Sequence, residues 1–180
     1  MIYLQTERLI IRDHKPEDLE NLFSLYSDKK AMYYLPGNYI ETLEEANKFL
    51  LLDEICKENR ERYFLSIYDK QDKMYVGEIG YTVNKITPVG KMVSAGYFLR
   101  PEFWLKGYAT EAFREVIRFA FEEDNVFRIE AGCNKENIGS EKVMIKCGMI
   151  KEAEFKSCTW HHGKIKDRVS YRLLKSEWKK

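Results

Sequence analysis

The residues of this 180-residue chain that are best placed to do chemistry stand where an apolar strand runs into a strongly amphipathic helix. Lys106 and Gly107 come immediately before that helix, and Arg100 lies upstream of them. The first N–H groups of a helix have no intrahelical partner and carry the positive end of its dipole. Because glycine lets a ligand come close to the backbone, the junction predicts a site for a phosphate-bearing ligand. The alternative is that Gly107 only eases a tight turn.

A second candidate segment follows the next predicted strand and contains Asn137 and Ser140. Both residue types are common at helix N-termini, so helix capping is the alternative to ligand binding. In a β-α-β unit the N-termini of successive helices lie on the same side of the sheet. The sequence therefore predicts that Gly107 and Asn137 face one ligand.

The elements that position these residues follow the order β-α-α-β-β-β-α-β-α-β-β. The clearest is the helix that begins at Gly107, because its apolar residues keep helical spacing for about three turns. We predict an α/β (α+β) fold, in which a mixed, mostly antiparallel sheet is flanked by helices and interrupted by one β-α-β unit. A ligand crevice is expected at that unit. The predicted strands cover residues 9–12, 63–68, 75–83, 93–99, 128–133, 150–161 and 164–174, and the helices begin near residues 13, 42, 107 and 137.

Composition limits the classes of protein to which this chain can belong. Apolar residues make up 44% of it, enough for a packed core, and the length suits one domain over residues 1–180. The 30 Lys and Arg residues against 29 Asp and Glu give a net charge of +1, so we expect no nucleic-acid or membrane partner. No apolar run approaches the ~20 residues of a membrane span, and Glu7 and Arg8 interrupt the place of a signal-peptide core.

The cysteines show no spacing typical of metal ligands. This scatter predicts free thiols in a reducing cytoplasm and no metal site. Cys133 and Cys147 are predicted to be buried apolar residues rather than nucleophiles, since neither has an obvious local base. The four cysteines are Cys56, Cys133, Cys147 and Cys158.

Five short motifs stand in a defined order along the chain: TERLIIR at residues 6–12, LPG at 35–37, GYFL at 96–99, WLKGYATEA at 104–112 and NIGS at 137–140. Together they resemble the GCN5-related N-acetyltransferase (GNAT) superfamily. The branch is that of the ribosomal-protein alanine and serine N-acetyltransferases, RimJ/RimL. No single motif is specific, but the ordered resemblance runs over nearly the whole chain.

The resemblance implies a GNAT fold, whose splayed sheet holds acetyl-CoA in a V-shaped opening. The turn at residues 104–109 corresponds to the one whose backbone N–H groups hold the pyrophosphate, and Leu99 lies on the strand that binds the pantetheine arm. Asn137 corresponds to a residue that contacts the cofactor arm, and Ser140 to a hydroxyl near the thioester sulfur. The implied cofactor-binding set is Leu99, Trp104, Leu105, Lys106, Gly107, Tyr108, Ala109, Thr110, Asn137 and Lys142, while Lys142 and Lys146 are CoA-phosphate contacts or solvated surface.

Four positions depart from the family pattern. Trp104 replaces the usual Gln or Arg. Leu105 replaces a glycine, so we expect it to keep ordinary backbone angles and to place a side chain where only backbone belongs. Ser94 and Thr159 stand where relatives carry acidic residues that act as bases.

Acetyl transfer to an amine needs a base for the amine and a proton donor for the leaving thiolate. Following the resemblance, we assign the second role to Ser140. Glu78 is the candidate base, and a solvent-facing strand position is the alternative. His161 and His162 have a suitable pKa but fall in a predicted hairpin turn, so we expect them on a surface loop, with lining of the acceptor groove as the alternative.

Three functions remain open at the level of the sequence. The first is an acetyl-CoA-dependent N-acetyltransferase that acetylates a primary amine, such as the α-amine of a protein N-terminus. The second is the same enzyme acting on a small amine, such as an antibiotic or a polyamine. The third is a non-catalytic acyl-CoA-binding module, which the missing acidic bases keep open. The aromatic residues at 33–36 either shape the acceptor pocket or cap the core, and a homodimer is left open.

Overall fold

In the part of the chain that the structure describes, eight strands form one mixed sheet. The structure, a computed structural model, describes residues 1–59 and 61–179, without the side chains of residues 53, 54, 57 and 58. The strands are β1 (Tyr3–Gln5), β2 (Leu9–Arg12), β3 (Arg62–Asp69), β4 (Tyr75–Thr87), β5 (Gly90–Leu99), β6 (Val126–Asn134), β7 (Ile150–His161) and β8 (Lys164–Leu174).

Helices cover both faces of this sheet. They are α1 (Leu19–Tyr26), α2 (Leu43–Glu58), α3 (Tyr108–Glu122) and α4 (Ile138–Lys146). The apolar stripe of α3 packs into the larger core on one face, as its spacing predicts, and Met144 of α4 joins it there. On the other face, α1 and α2 form a second core with Tyr75 and Phe98. Within the described ranges, no helix is long and apolar enough to cross a membrane.

The structure contains one strand more than the predicted order. β1 pairs antiparallel with β2, so the observed order begins β-β-α-α. This strand is three residues long, and only Leu4 points into the core, with 6% of its surface exposed. One inward residue gives no detectable alternation, so pairing with β2 rather than local sequence defines the strand. The bounds predicted for β7 and β8 are confirmed, and His162 and Gly163 form the turn between them.

The sheet opens between β5 and β6. The strand order is β1-β2-β3-β4-β5-β6-β8-β7, and β5 and β6 form the parallel pair in an otherwise antiparallel sheet. Their pairing ends at Ser94 and Glu130. Beyond that point, residues 95–99 pair with β4 and residues 131–134 pair with β8. The two strand ends therefore diverge and leave a V-shaped opening.

Candidate functional site

A cleft lies between the diverging ends of β5 and β6. Residues 95–99 form one wall and residues 131–134 the other, and the cleft has a volume of about 780 Å³. Gly107, immediately before α3, and Asn137, immediately before α4, both border it. The structure thus brings the two candidate helix starts to one site.

The turn before α3 contains two residues with left-handed backbone angles, Leu105 with φ of 59° and Gly107 with φ of 84°. The prediction that Leu105 keeps ordinary backbone angles is therefore wrong. Left-handed residues in a turn aim neighbouring N–H groups at one point, where an anion can bind. This conformation costs a leucine about 1–2 kcal/mol. The Leu105 side chain is fully exposed, so it leaves the backbone of the turn accessible.

Residues at the N-terminal end of the chain fasten this turn to the first turn of α3. The Arg8 guanidinium donates to Glu111 Oε2 at 2.7 Å and to the carbonyl oxygen of Lys106 at 3.0 Å. The Thr6 hydroxyl and the Arg8 backbone N–H both donate to Glu111 Oε1. Burial opposes the ionisation of Glu111, but these hydrogen bonds outweigh it and lower its pKa. The motif at residues 6–12 therefore positions the turn.

Trp104 connects the turn with the end of β5 and with the loop before α2. Its indole N–H donates to the carbonyl oxygen of Leu99 at 2.8 Å. From the loop before α2, the Lys30 ammonium lies 5.4 Å from the centre of the Trp104 ring, which is a cation–π contact. The ring therefore holds the end of β5 and the turn together at the mouth of the cleft.

Most of the residues that the resemblance assigned to the cofactor line the cleft. The exception is Lys106, which is not among the described lining residues; its ammonium lies 5.8 Å from the centre of the Phe103 ring. Lys146 lines the cleft as well. The lining members of the set are Leu99, Trp104, Leu105, Gly107, Tyr108, Ala109, Thr110, Asn137 and Lys142.

Ser140 stands in the first turn of α4, and the side chain of Tyr97 on β5 reaches it across the cleft. Asn137 Oδ1 accepts a hydrogen bond from the Ser140 backbone N–H at 3.1 Å, so Asn137 does cap the helix. Across the cleft, the Tyr97 hydroxyl donates to the carbonyl oxygen of Ser140 at 2.9 Å and lies 3.0 Å from Ser140 Oγ. No role for Tyr97 was predicted from the sequence. Cys133 lines the same space, and burial raises the pKa of its thiol, in keeping with its predicted apolar role.

Glu78 lies behind the cleft. It is 0% exposed on β4, so the solvent-facing alternative is wrong. Its carboxylate accepts hydrogen bonds from Tyr26 at 2.8 Å and Tyr75 at 3.2 Å, and His14 Nε2 is 2.8 Å from Oε1. The packing of α1 over this face of the sheet explains the burial. Glu78 is absent from the described lining residues, and its role as a base stays a prediction.

Aromatic residues join the loop between α1 and α2 to the hairpin of β7 and β8. The carbonyl oxygen of Tyr33 lies 2.7 Å from His161 Nε2 and 3.2 Å from His162 Nε2. His161 is only 4% exposed, so the expectation of a surface loop is wrong for this residue, because the Tyr33 loop covers it. Tyr33 and Tyr34 line the cleft, which favours the pocket-shaping alternative for residues 33–36.

A carboxylate that the sequence analysis missed lies where β5 and β6 begin to diverge. Ser94 Oγ donates to Glu130 Oε1 at 2.9 Å, and Asn84 Nδ2 donates to the same oxygen at 2.7 Å. Ser94 takes the place of an acid in the family pattern, and here it holds a carboxylate from the neighbouring strand. Only the register of β5 against β6 reveals this pair.

Within the described part of the chain, no group of three or more His, Cys, Asp or Glu side chains is arranged to hold a metal ion.

Residues 8–150 match the sequence family described as an acetyltransferase (GNAT) domain. The uncharacterized N-acetyltransferase YnaD of Bacillus subtilis (strain 168) is 30% identical over 184 residues, covering 98% of this chain and 99% of YnaD.

Solved structures show the same architecture. An acetyltransferase of the GNAT family from Bacillus anthracis superimposes with a TM-score of 0.84 at 29% identity, covering 98% of this chain and 100% of that chain. RimL, a ribosomal L7/L12 alpha-N-protein acetyltransferase in complex with coenzyme A, has a TM-score of 0.86 at 18% identity, covering 96% of this chain and 98% of RimL. At that identity, the likeness to RimL is one of fold.

Proposed function

The chain belongs to the GNAT family of acetyltransferases, and from that premise we propose that its cleft binds acetyl-CoA and transfers the acetyl group to a primary amine. The observation that carries this proposal is the divergence of β5 and β6 beyond Ser94 and Glu130, with the N-termini of α3 and α4 at the opening. Residues 95–99 leave a strand edge that faces the cleft, and such an edge can bind an extended ligand as an added strand.

The residues present fit acetyl-CoA. The left-handed turn at Leu105 and Gly107 leaves backbone N–H groups open to a pyrophosphate, as the N-terminus of α3 favours an anion. Lys142 and Lys146 line the same cleft and add positive charge for phosphates. Leu99 and Asn137 border the path between the turn and Ser140 and would contact the pantetheine arm.

When bound, acetyl-CoA supplies an activated acyl group whose departing thiolate must be protonated. Ser140 would donate a hydrogen bond to that thiolate, which then takes its proton from solvent, and Tyr97 would hold the Ser140 hydroxyl in place. Glu130, fixed by Ser94 and Asn84 where β5 and β6 begin to diverge, is not among the described lining residues, and from the base of the opening it would accept the proton of the attacking amine. The remaining task of the cleft is to position the amine, which by itself contributes a large part of catalysis.

Acetyl transfer is tested directly with acetyl-CoA and a panel of amines that includes peptide N-termini, amino compounds and polyamines. Thiol release is followed together with the mass of the product. We expect an amine-dependent release of CoA and a product heavier by one acetyl group. Stabilisation by acetyl-CoA, about 2.7 kcal/mol at a hundredfold excess over Kd, provides an independent readout of binding. Binding without any acetylated product would instead support the non-catalytic module.

A further inference from the structure

The charges that line the cleft have one sign. Among its described lining residues, four are basic and none is acidic. Two of these, Lys142 and Lys146, lie on α4 and are assigned above to CoA phosphates. The other two, Lys30 in the loop before α2 and Arg168 on β8, lie elsewhere on the wall and have no such assignment.

Arg168 lies on the face of the sheet opposite to α3. Its neighbour Val169 is buried in the core beneath that helix, and successive residues of a strand point to opposite faces. The Arg168 guanidinium lies over the backbone of Gly132 on the facing strand. A Cβ added at Gly132 would stand 3.0 Å and 3.3 Å from two guanidinium nitrogens. The Val169 carbonyl oxygen would be closer still, at 2.7 Å, so a glycine at this position makes room both for the facing strand and for the guanidinium.

The Arg168 guanidinium has no carboxylate partner among the side chains that the structure describes. Within residues 1–59 and 61–179, the side chains of residues 53, 54, 57 and 58 apart, it makes no hydrogen bond and no ion pair. Arg12 and Arg118 differ in this respect, since Arg12 binds Asp18 and Arg118 binds Glu115. The planar fork of arginine matches the oxygens of a carboxylate or a phosphate. An arginine without such a partner on the wall of a cleft is available to an anionic ligand.

We propose that Arg168 determines acceptor specificity by binding an anionic group, a carboxylate or a phosphate, on the molecule that carries the acceptor amine. Lys30 adds positive charge to the same cleft, so a polyamine is a poor acceptor. This inference rests on the proposed function, because it concerns the second substrate of that transfer. The anion is held equally before and during the transfer, so its loss raises KM and leaves kcat nearly unchanged.

The test uses pairs of amines that differ only in the anionic group. The carboxylate pair is β-alanine and β-alanine amide, the phosphate pair is phosphoethanolamine and ethanolamine, and spermidine represents polyamines. Acetyl transfer is measured with the wild type, Arg168→Gln and Arg168→Lys. Lys175→Gln is the matched control, because it removes an exposed positive charge just beyond the end of β8.

We expect the wild type to prefer the anionic member of at least one pair by about tenfold or more in kcat/KM, the effect of a hydrogen bond to a charged group. Arg168→Gln should raise the KM of that acceptor by about tenfold, with the KM for acetyl-CoA and for neutral amines unchanged. Equal use of both members of each pair, or a defect confined to acetyl-CoA, overturns the inference and leaves acetyl transfer intact. The absence of product from every amine contradicts the proposed function instead.

Discussion

The Tyr97 hydroxyl on β5 donates to the carbonyl oxygen of Ser140 on α4 at 2.9 Å and lies 3.0 Å from the Ser140 hydroxyl. The two strands that border the cleft have already diverged at this level, so a side chain rather than a β-ladder connects its walls. Burial raises the pKa of Tyr97, so the phenol stays protonated and keeps its hydrogen bond. The position of Ser140 Oγ is therefore defined before any substrate binds.

Replacing Ser140 by alanine tests its role toward the departing thiolate. A group that acts mainly in the transition state should change kcat and kcat/KM together. We expect both to fall by ~10²-fold or more, with little change in the affinity for CoA. Urea unfolding of the same variant is the control for a capping role: Asn137 bonds the backbone N–H of residue 140, which alanine keeps, so the free energy of unfolding should change little. Wild-type kcat in Ser140→Ala would show that the hydroxyl has no part in the chemistry.

The anion site at the start of α3 is tested by comparing Gly107→Asp with Gly107→Asn. Both side chains enter a left-handed position with φ of 84°, which Asp and Asn tolerate better than most residues, so the loss of stability should be similar. Only aspartate places a negative charge beside the bound pyrophosphate. Arg8 lies nearby and offsets part of this charge. We still expect CoA to bind at least about tenfold more weakly to Gly107→Asp than to Gly107→Asn, which is a loss of about 1.4 kcal/mol in binding free energy. Calorimetric titration of CoA measures both affinities, and equal values would place the phosphates elsewhere.

The proton acceptor is identified by a pair of carboxylate-to-amide variants. Glu130→Gln keeps the oxygen that Ser94 and Asn84 bind but cannot take a proton, so kcat should fall by ~10²-fold or more. Glu78→Gln disturbs a buried site beneath α1, so it should lower the free energy of unfolding with kcat per folded molecule nearly unchanged. The reverse result would identify Glu78 as the base, as predicted from the sequence.

Much of the fold was predictable because its signals are local. The helical spacing after Gly107, the turn at His162 and Gly163 and the motif order predict α3, the last hairpin and the GNAT architecture. β1 was not predictable, since one inward leucine carries no periodic signal and its pairing partner defines it.

The parts of the candidate site that depend on helix starts were predictable from the local sequence. The parts that depend on how two strands align were not. Gly107 and Asn137 are visible as helix starts, and both border the cleft. The pairing of Ser94 with Glu130 depends on how β5 aligns with β6, which no local pattern encodes. The prediction of ordinary backbone angles for Leu105 was wrong for a different reason. Steric preference disfavours a leucine with left-handed angles, but the contacts of the surrounding turn with Arg8 hold the residue in that conformation.

A buried ion pair under α1 should make stability depend on pH in the acid range. Asp18 is 0% exposed and accepts two hydrogen bonds from the Arg12 guanidinium, at 2.7 and 2.8 Å, and another from Tyr68. Burial opposes the ionisation of Asp18, but the hydrogen bonds from Arg12 and Tyr68 outweigh it and hold its pKa below the usual value of 3.8. Because the folded-state pKa is lowered, the stabilisation is complete above about pH 4 and is lost as the pH falls through the folded-state pKa.

Asp18→Asn should therefore lower the free energy of unfolding by about 3 kcal/mol at pH 7, since it leaves the Arg12 charge without its partner. Urea unfolding at pH 7 and at pH 3 measures the difference between variant and wild type. That difference should shrink at pH 3, because below the usual pKa of 3.8 the Asp18 carboxyl of the unfolded chain takes up a proton, which favours unfolding of the wild type. Glu17→Gln is the matched control, because its side chain is 65% exposed and its removal should change little at either pH. A deficit of the same size at both pH values would mean that Asp18 contributes by its shape rather than by its charge.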